Sequence, residues 1–288
     1  LWPHSVDLKL NSNLAGLAID LPAPLGKPAN QETPFTLSAQ ERGDGRPPVA
    51  FRYGTALAGV LMPGDSPART RLGIMFGSQP VAMPKAEGIT VQGPLRRLDF
   101  DAWRRLDLGG AGRDGLPLRS VNLTFNELLA FDRLFHDINV QVGPEQRAWK
   151  IQLNGQGVQG EVLYGPQPGT PGDSLIGRFK KLDLPRAAST AVSRQAIDPN
   201  DLPKEIDLAV QAFAYDRRDL GEMTLKLTAA RDGLVIDAGS LKAPEAQLEA
   251  SGWLSASALR NTRLNLKLDS GNLGQLLRRL GYSEDIKG

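Results

Sequence analysis

A period of two in hydrophobicity constrains this chain more than any other feature. In Val6-Asp7-Leu8-Lys9-Leu10, Val121-Asn122-Leu123-Thr124-Phe125 and Ile138-Asn139-Val140-Gln141-Val142, apolar and polar residues alternate. Successive side chains of an extended strand leave opposite faces, so such runs make strands with one greasy face and one wet face. The alternation recurs at 149–153, 223–227 and 264–268, with looser versions at 206–215, 234–241 and 247–254. The expected fold is mainly β, an antiparallel sheet with one solvated face. The 31 Gly and 21 Pro fall largely between the runs, at 43–48, 62–67, 109–117 and 165–172, where turns need them.

Three short stretches break the rhythm with helical spacing. The first is 98–106, and the second runs from Asn126, an N-cap candidate, to His136, with Leu128, Phe131, Leu134 and Phe135 on one stripe. In the third, Asn272 caps, Gln275 reaches back, Leu273, Leu276, Leu277 and Leu280 follow the i, i+3, i+4, i+7 spacing, and Gly281 ends the helix. Helices of this size are about 12 to 15 Å long. They can plug or border a sheet, and the expectation is that none returns the chain to make a parallel pair. The stretch 185–203, rich in Ala, Ser, Pro and Asp, reads as a long loop or seam. The organisation expected is therefore a β segment over 1–185 with two short helices, a seam at 186–203, and a continuation of the sheet over 204–288 that ends in a short helix. One sheet crossing the seam and two separate domains both fit. The opening Leu1-Trp2-Pro3, followed at once by strand pattern, reads as internal to a longer polypeptide.

Several function classes find little support. With 34 Lys and Arg against 32 Asp and Glu the net charge is +2, and the cations are scattered singly, without the clustered stripe that nucleic acid requires. Without cysteine there is no disulfide, thiolate nucleophile or Cys-bound metal. The two histidines, His4 and His136, have no partners at metal-ligand spacing, and His136 reads as a residue closing the last turn of its helix. Literal G-x-G-x-x-G occurs at Gly110, Gly112, Gly115 and at Gly155, Gly157, Gly160, but neither precedes a helix, so both read as turn or bulge glycines. The carboxylate pairs Asp99 with Asp101 and Asp216 with Asp219 are those a glycan-active enzyme would use. Their settings, a helix start and a charged hairpin turn, favour capping and solvation. Trp103, Trp149 and Trp253 read as packing residues before sugar-stacking platforms. No cofactor and no metal is expected, and no apolar run of about 18 residues is present to cross a membrane as a helix.

The segments Gly16-Leu-Ala-Ile-Asp-Leu-Pro-Ala-Pro-Leu-Gly26, Ile89-Thr-Val-Gln-Gly-Pro-Leu-Arg-Arg-Leu-Asp-Phe-Asp-Ala-Trp103 and 123–142, with Ser251-Gly-Trp-Leu and Leu277-Arg-Arg-Leu-Gly-Tyr282, resemble the large YhdP branch of the AsmA-like envelope proteins. The resemblance implies a longer polypeptide held in the inner membrane of a Gram-negative cell by an N-terminal anchor and extending through the periplasm. It implies a strongly curved antiparallel sheet forming an open groove, or half-barrel, and a part in outer-membrane biogenesis by moving phospholipid. The partners it implies are phospholipid acyl chains, the rest of the same polypeptide, and the membrane through the anchor.

On this reading the lining is the apolar set of the alternating runs: Leu8, Leu10, Val140, Ile151, Leu153, Leu208, Val210, Leu225, Leu227, Leu248, Leu264, Leu266 and Leu268. A lipid chain asks only for apolar area, about 0.8 kcal/mol per buried methylene, and no catalytic residue. The same alternation also serves a closed sandwich or barrel acting as a structural or assembly scaffold. A glycan-active enzyme on a β scaffold is the third reading.

Overall fold

The structure, a computed structural model, describes residues 7–40, 46–106, 116–168, 172–188, 202–255, 262–272, 274–275 and 279. Two compact units divide within one strand: Leu1–Phe131 with His136–Gly143 form the first, and Asp132–Phe135 with Pro144–Gly288 form the second. Of the expected seam at 186–203, residues 189–201 lie outside the described residues.

The first unit carries β1 (Asp7–Ser12), β2 (Phe35–Gln40), β3 (Val49–Tyr53), β4 (Leu57–Met62), β5 (Arg71–Phe76), β6 (Gly88–Asp99), β7 (Leu118–Ala130) and most of β8 (Arg133–Glu145), and their order in the sheet is their order in the chain. β1 to β5 pair antiparallel. β5 with β6 and β6 with β7 pair parallel, which corrects the expectation that no such returns occur. The reason is chain length. The connection 100–117, even with its first five residues helical, can reach about 50 Å, enough to run back along a strand of about 40 Å.

That connection begins with α1 (Phe100–Arg104), where Asp99 supplies the N-cap and its Oδ1 accepts from Ala102 N at 2.8 Å. Asp101, in the first turn, is buried; its Oδ1 accepts from Phe131 N at 3.0 Å and stands 3.4 Å from Arg104. Both carboxylates are thus engaged in building the helix and its contact with β7.

The second helix expected from sequence is a β-hairpin. β7 continues through Asn126 to Ala130, the chain turns at Phe131 and Asp132, and His136 lies exposed on β8. Phe131 and Asp132 take φ of 54° and 57°, the left-handed pair of a tight two-residue turn whose twist suits flanking strands. The stripe Leu128, Phe131, Leu134, Phe135 arises from two strand ends and a turn that contains neither Gly nor Pro. Phe131 is exposed, with the Phe100 ring 6.0 Å away and the Arg104 guanidinium 5.9 Å from its centroid.

The second unit carries β9 (Ala148–Gly155), β10 (Val158–Pro166), β11 (Asp173–Leu184), β12 (Glu205–Tyr215), β13 (Arg218–Ala230), β14 (Gly233–Ala243), β15 (Ala246–Ser255) and β16 (Arg263–Ser270), again in chain order. β11 and β12 are parallel, and the other pairs from β9 to β16 are antiparallel. Gly155, Gly157 and Gly160 belong to the β9–β10 hairpin, whereas Gly110, Gly112 and Gly115 lie outside the described residues. Asp216 and Arg217 form the β12–β13 turn at φ of 53° and 64°. The β11–β12 connection is fastened where it starts: Ala188 N donates to Asp132 O at 2.7 Å, Arg133 donates to Pro185 O, and Arg186 pairs with Asp216 at 2.6 Å. Beyond β16, Asn272 Oδ1 accepts from Gln275 N at 3.0 Å, the cap expected of the third helix. Gly274, Gln275 and Arg279 are helical, and the rest of that helix lies outside the described residues.

Candidate functional site

The strand registers sort the thirteen expected lining residues. In the second unit, Ile151 faces Val162, which faces Gly177, and the row continues through Leu208, Leu225, Gly239 and Ala250 to Leu266. A second row runs from Leu153 through Gly160, Phe179, Val210, Met223, Leu241 and Leu248 to Leu268. The third begins at Trp149 and Tyr164, passes Leu175, Ile206, Leu227, Ile236 and Gly252, and ends at Leu264. Residues opposite one another across paired strands share a face, so Ile151, Leu153, Leu208, Val210, Leu225, Leu227, Leu248, Leu264, Leu266 and Leu268 stand together on it. None of the three rows contains a charged residue.

The first unit holds the other three. Leu8 faces Ala39 and Leu10 faces Leu37, and from Leu37 a row passes Phe51, Gly59, Ile74 and Val91 to Val121. On β8, Asn139 Nδ2 donates to Asn122 Oδ1 at 3.0 Å and Thr124 Oγ1 at 3.1 Å, which fixes Asn139 on the polar face and its neighbour Val140 on the face of Val121 and Leu123.

These faces are incompletely covered. Among the described residues no large side chain is fully buried. Val210, in the middle of its row, is 3% exposed, whereas Leu266 at the edge is 62% exposed, and Leu8 and Leu10 are also exposed. In the first unit the loop between β1 and β2 crosses one end of the apolar face. Tyr53 Oη donates to Leu25 O at 3.0 Å, Trp103 Nε1 donates to Ala23 O at 2.9 Å, and buried Lys27 bridges the loop's carbonyls.

The opposite face of the second unit is ionic. Lys150 lies 3.0 Å from Glu161 and 3.6 Å from Glu145, and the Glu161 hydrogen bond, with both negative charges, raises its pKa. Arg178 pairs with Asp207 at 2.8 Å, which Lys226 also approaches at 3.8 Å. A concavity of about 460 Å³ on this side includes Asp237 and Glu249, but Asp237 accepts from Thr228 Oγ1 at 2.7 Å and Glu249 pairs with Lys267 at 3.9 Å. Asp216 stands in the β12–β13 turn and Asp219 at the start of β13, where Asp219 Oδ1 accepts from Gly221 N at 2.9 Å. On the apolar side, Tyr164 has its pKa raised by burial and by the Asp173 carboxylate, 3.4 Å from its hydroxyl. No group of three potential metal-ligating side chains, and no helix long and apolar enough to cross a membrane, occurs among the described residues.

Sequence reasoning missed Val162, Leu175, Phe179, Ile236 and Leu241, which stand in the same rows. In β11 the alternation is interrupted at Lys180, where the register shifts so that Phe179 faces Gly160 and Lys181 faces Gln159.

Strand order that follows chain order, with apolar rows on one face and ion pairs on the other, defines a class of β scaffold built from consecutively paired strands. A family model described as YhdP protein matches residues 2–288, and the chain belongs to that family. No curated protein and no solved structure matches the chain.

Proposed function

We propose that this chain is a non-enzymatic segment of a periplasmic AsmA-like protein, anchored in the inner membrane through the longer polypeptide, and that its apolar face is an open groove conducting phospholipid acyl chains toward the outer membrane. The observation that carries this is the set of three uncharged rows running from β9 to β16, left partly open among the described residues. Apolar area retained at a surface is a cost unless a partner covers it, and an acyl chain matches a long, uncharged row better than a folded protein does. YhdP family membership supports the reading. A structural role in outer-membrane assembly, with the same face closed over as a core, is the alternative, favoured by the near-complete burial of Val210 and Phe179.

Leu225→Asp and Leu266→Asp test the two readings, with folding followed by circular dichroism and thermal melting, and binding by a fluorescent phospholipid. In an open groove both variants stay folded and lose most lipid binding. In a sealed core a carboxylate without a partner costs several kcal/mol, and global unfolding by both substitutions would overturn the groove.

A further inference from the structure

At one end of the second unit's apolar rows the residues change kind. The row that holds Leu175 and Ile206 opens with Trp149 and Tyr164, register partners on β9 and β10. One rung further out, Asp173 at the start of β11 and Lys204 just before β12 stand on the same face, two residues before Leu175 and Ile206. Lys204 N donates to Asp173 O at 2.7 Å, so the two strands are still joined there. β9 to β12 lie inside the sheet, each with a neighbour on both sides.

Trp and Tyr, with an apolar body and a polar tip, fit a boundary between hydrocarbon and water. Tyr164 is exposed, and its Oη donates to Asp173 Oδ2 at 3.4 Å. Trp149 is half-buried, and its indole N–H has no partner among the described residues; no buried side-chain nitrogen there lacks one, so this N–H reaches the surface. Lys204 is exposed and has no ion-pair partner among the described residues. Its stem runs over Gly172, where a Cβ would stand 2.8 Å from Lys204 Cγ. At the opposite ends of β11 and β12 the cations are committed within the protein: Arg133 donates to Pro185 O and lies over the Tyr215 ring, and Arg186 pairs with Asp216.

We propose that this rim is the headgroup seat of a zwitterionic aminophospholipid whose acyl chains lie along the apolar rows. Lys204 holds the phosphate, Asp173 holds a primary ammonium, and the Trp149 indole offers its N–H to the ester carbonyls. Lys204 and Asp173 stand on neighbouring strands about 4.8 Å apart, a span that the two-carbon link between phosphate and ammonium covers. The inference rests on the open-groove reading.

Titration of the full chain with three fluorescent lipids carrying the same acyl chains, a phosphatidylethanolamine, a phosphatidylglycerol and a diacylglycerol, tests it. The phosphatidylethanolamine is expected to bind most tightly and the diacylglycerol least. Lys204→Gln should weaken both phosphate-bearing lipids about threefold to fivefold and leave the diacylglycerol unchanged. Asp173→Asn should lower the phosphatidylethanolamine to the level of the phosphatidylglycerol. Thermal melting confirms that both variants remain folded. Binding of all three lipids with equal affinity, a phosphatidylethanolamine held no more tightly than the phosphatidylglycerol, or variants that shift all three lipids alike overturn the seat and leave the groove standing. Failure of the unaltered chain to bind any of the three overturns both.

Discussion

Phe51 on β3 lies over Gly59, its register partner on β4, so closely that a Cβ built on Gly59 would stand 2.1 Å from Phe51 Cζ. The ring fills the gap the missing side chain leaves in the apolar row. Gly59→Ala is expected to displace Phe51 and destabilise the first unit by about 1–3 kcal/mol, read as a lowered melting temperature. Adding Phe51→Leu should recover part of the loss, because the smaller side chain makes room for the new methyl.

Among the described residues, no carboxylate pairs with buried Lys27. Its Nζ instead donates to Leu14 O at 2.8 Å, Pro28 O at 3.2 Å and Leu17 O, gathering three carbonyls of one loop around a single ammonium. Lys27→Met keeps the apolar stem but leaves those acceptors unmet, at an expected cost of about 1.5–3 kcal/mol. The loss should be local. Hydrogen exchange is expected to quicken at Gly16, Ile19 and Lys27, whose amides carry the loop's backbone bonds, with the amides of β12 and β13 unchanged.

Strands with one dry and one wet face were legible from sequence, and the registers of β12, β13, β15 and β16 follow their written alternation. β4 and β5 were not, because both of their sides are covered. A Cβ built on Gly73 of β5 would meet Val81 and Ala82 of the β5–β6 connection at 3.4 Å, on the side away from Leu72 and Ile74, so Leu57 to Phe76 reads as mixed apolar sequence without a period. The β7–β8 hairpin misled for a different reason: Phe131 and Asp132 adopt left-handed backbone without a Gly to announce it. The parallel pairs were hidden because pairing direction depends on where a connection returns, which local pattern does not encode. That Leu208, Leu225 and Leu266 share a face could be read from their alternation, but Val162 and Phe179 could not, and which rows form depended on bulges such as the one at Lys180.

Arg217 sits at φ of 64° in the second central position of the β12–β13 turn, after Asp216. An L side chain is strained there and glycine is not, and Asp-Gly is a favoured pair for such turns. Arg217 donates its backbone N–H to Asp183 Oδ1 at 3.0 Å, a bond that glycine retains. Arg217→Gly is therefore expected to stabilise the second unit by about 0.5–1 kcal/mol, seen as a raised urea midpoint with an unchanged slope.

Glu245, in the β14–β15 turn, holds Arg279 of the C-terminal helix: its Oε2 accepts from Arg279 Nη2 at 3.0 Å, its Oε1 accepts from Arg279 Nε, and Arg279 Nη1 also donates to Asp219 O at 3.0 Å. Hydrogen bonding to Arg279 draws the Glu245 pKa below its ordinary value of 4.5, and the same bond raises that of Arg279, which stays charged throughout. Because the folded pKa of Glu245 is the lower one, the bond stabilises the fold fully above the unfolded value, and that stability is lost as pH falls through the folded value. Urea unfolding of the chain and of Glu245→Gln, compared between about pH 7 and about pH 3, is expected to show the chain more stable at neutral pH and the difference closing below about pH 4.5. Arg279→Gln should remove the same pH-dependent part. If instead the gap between chain and variant stayed constant down to about pH 3, this ion pair would not be what anchors Arg279.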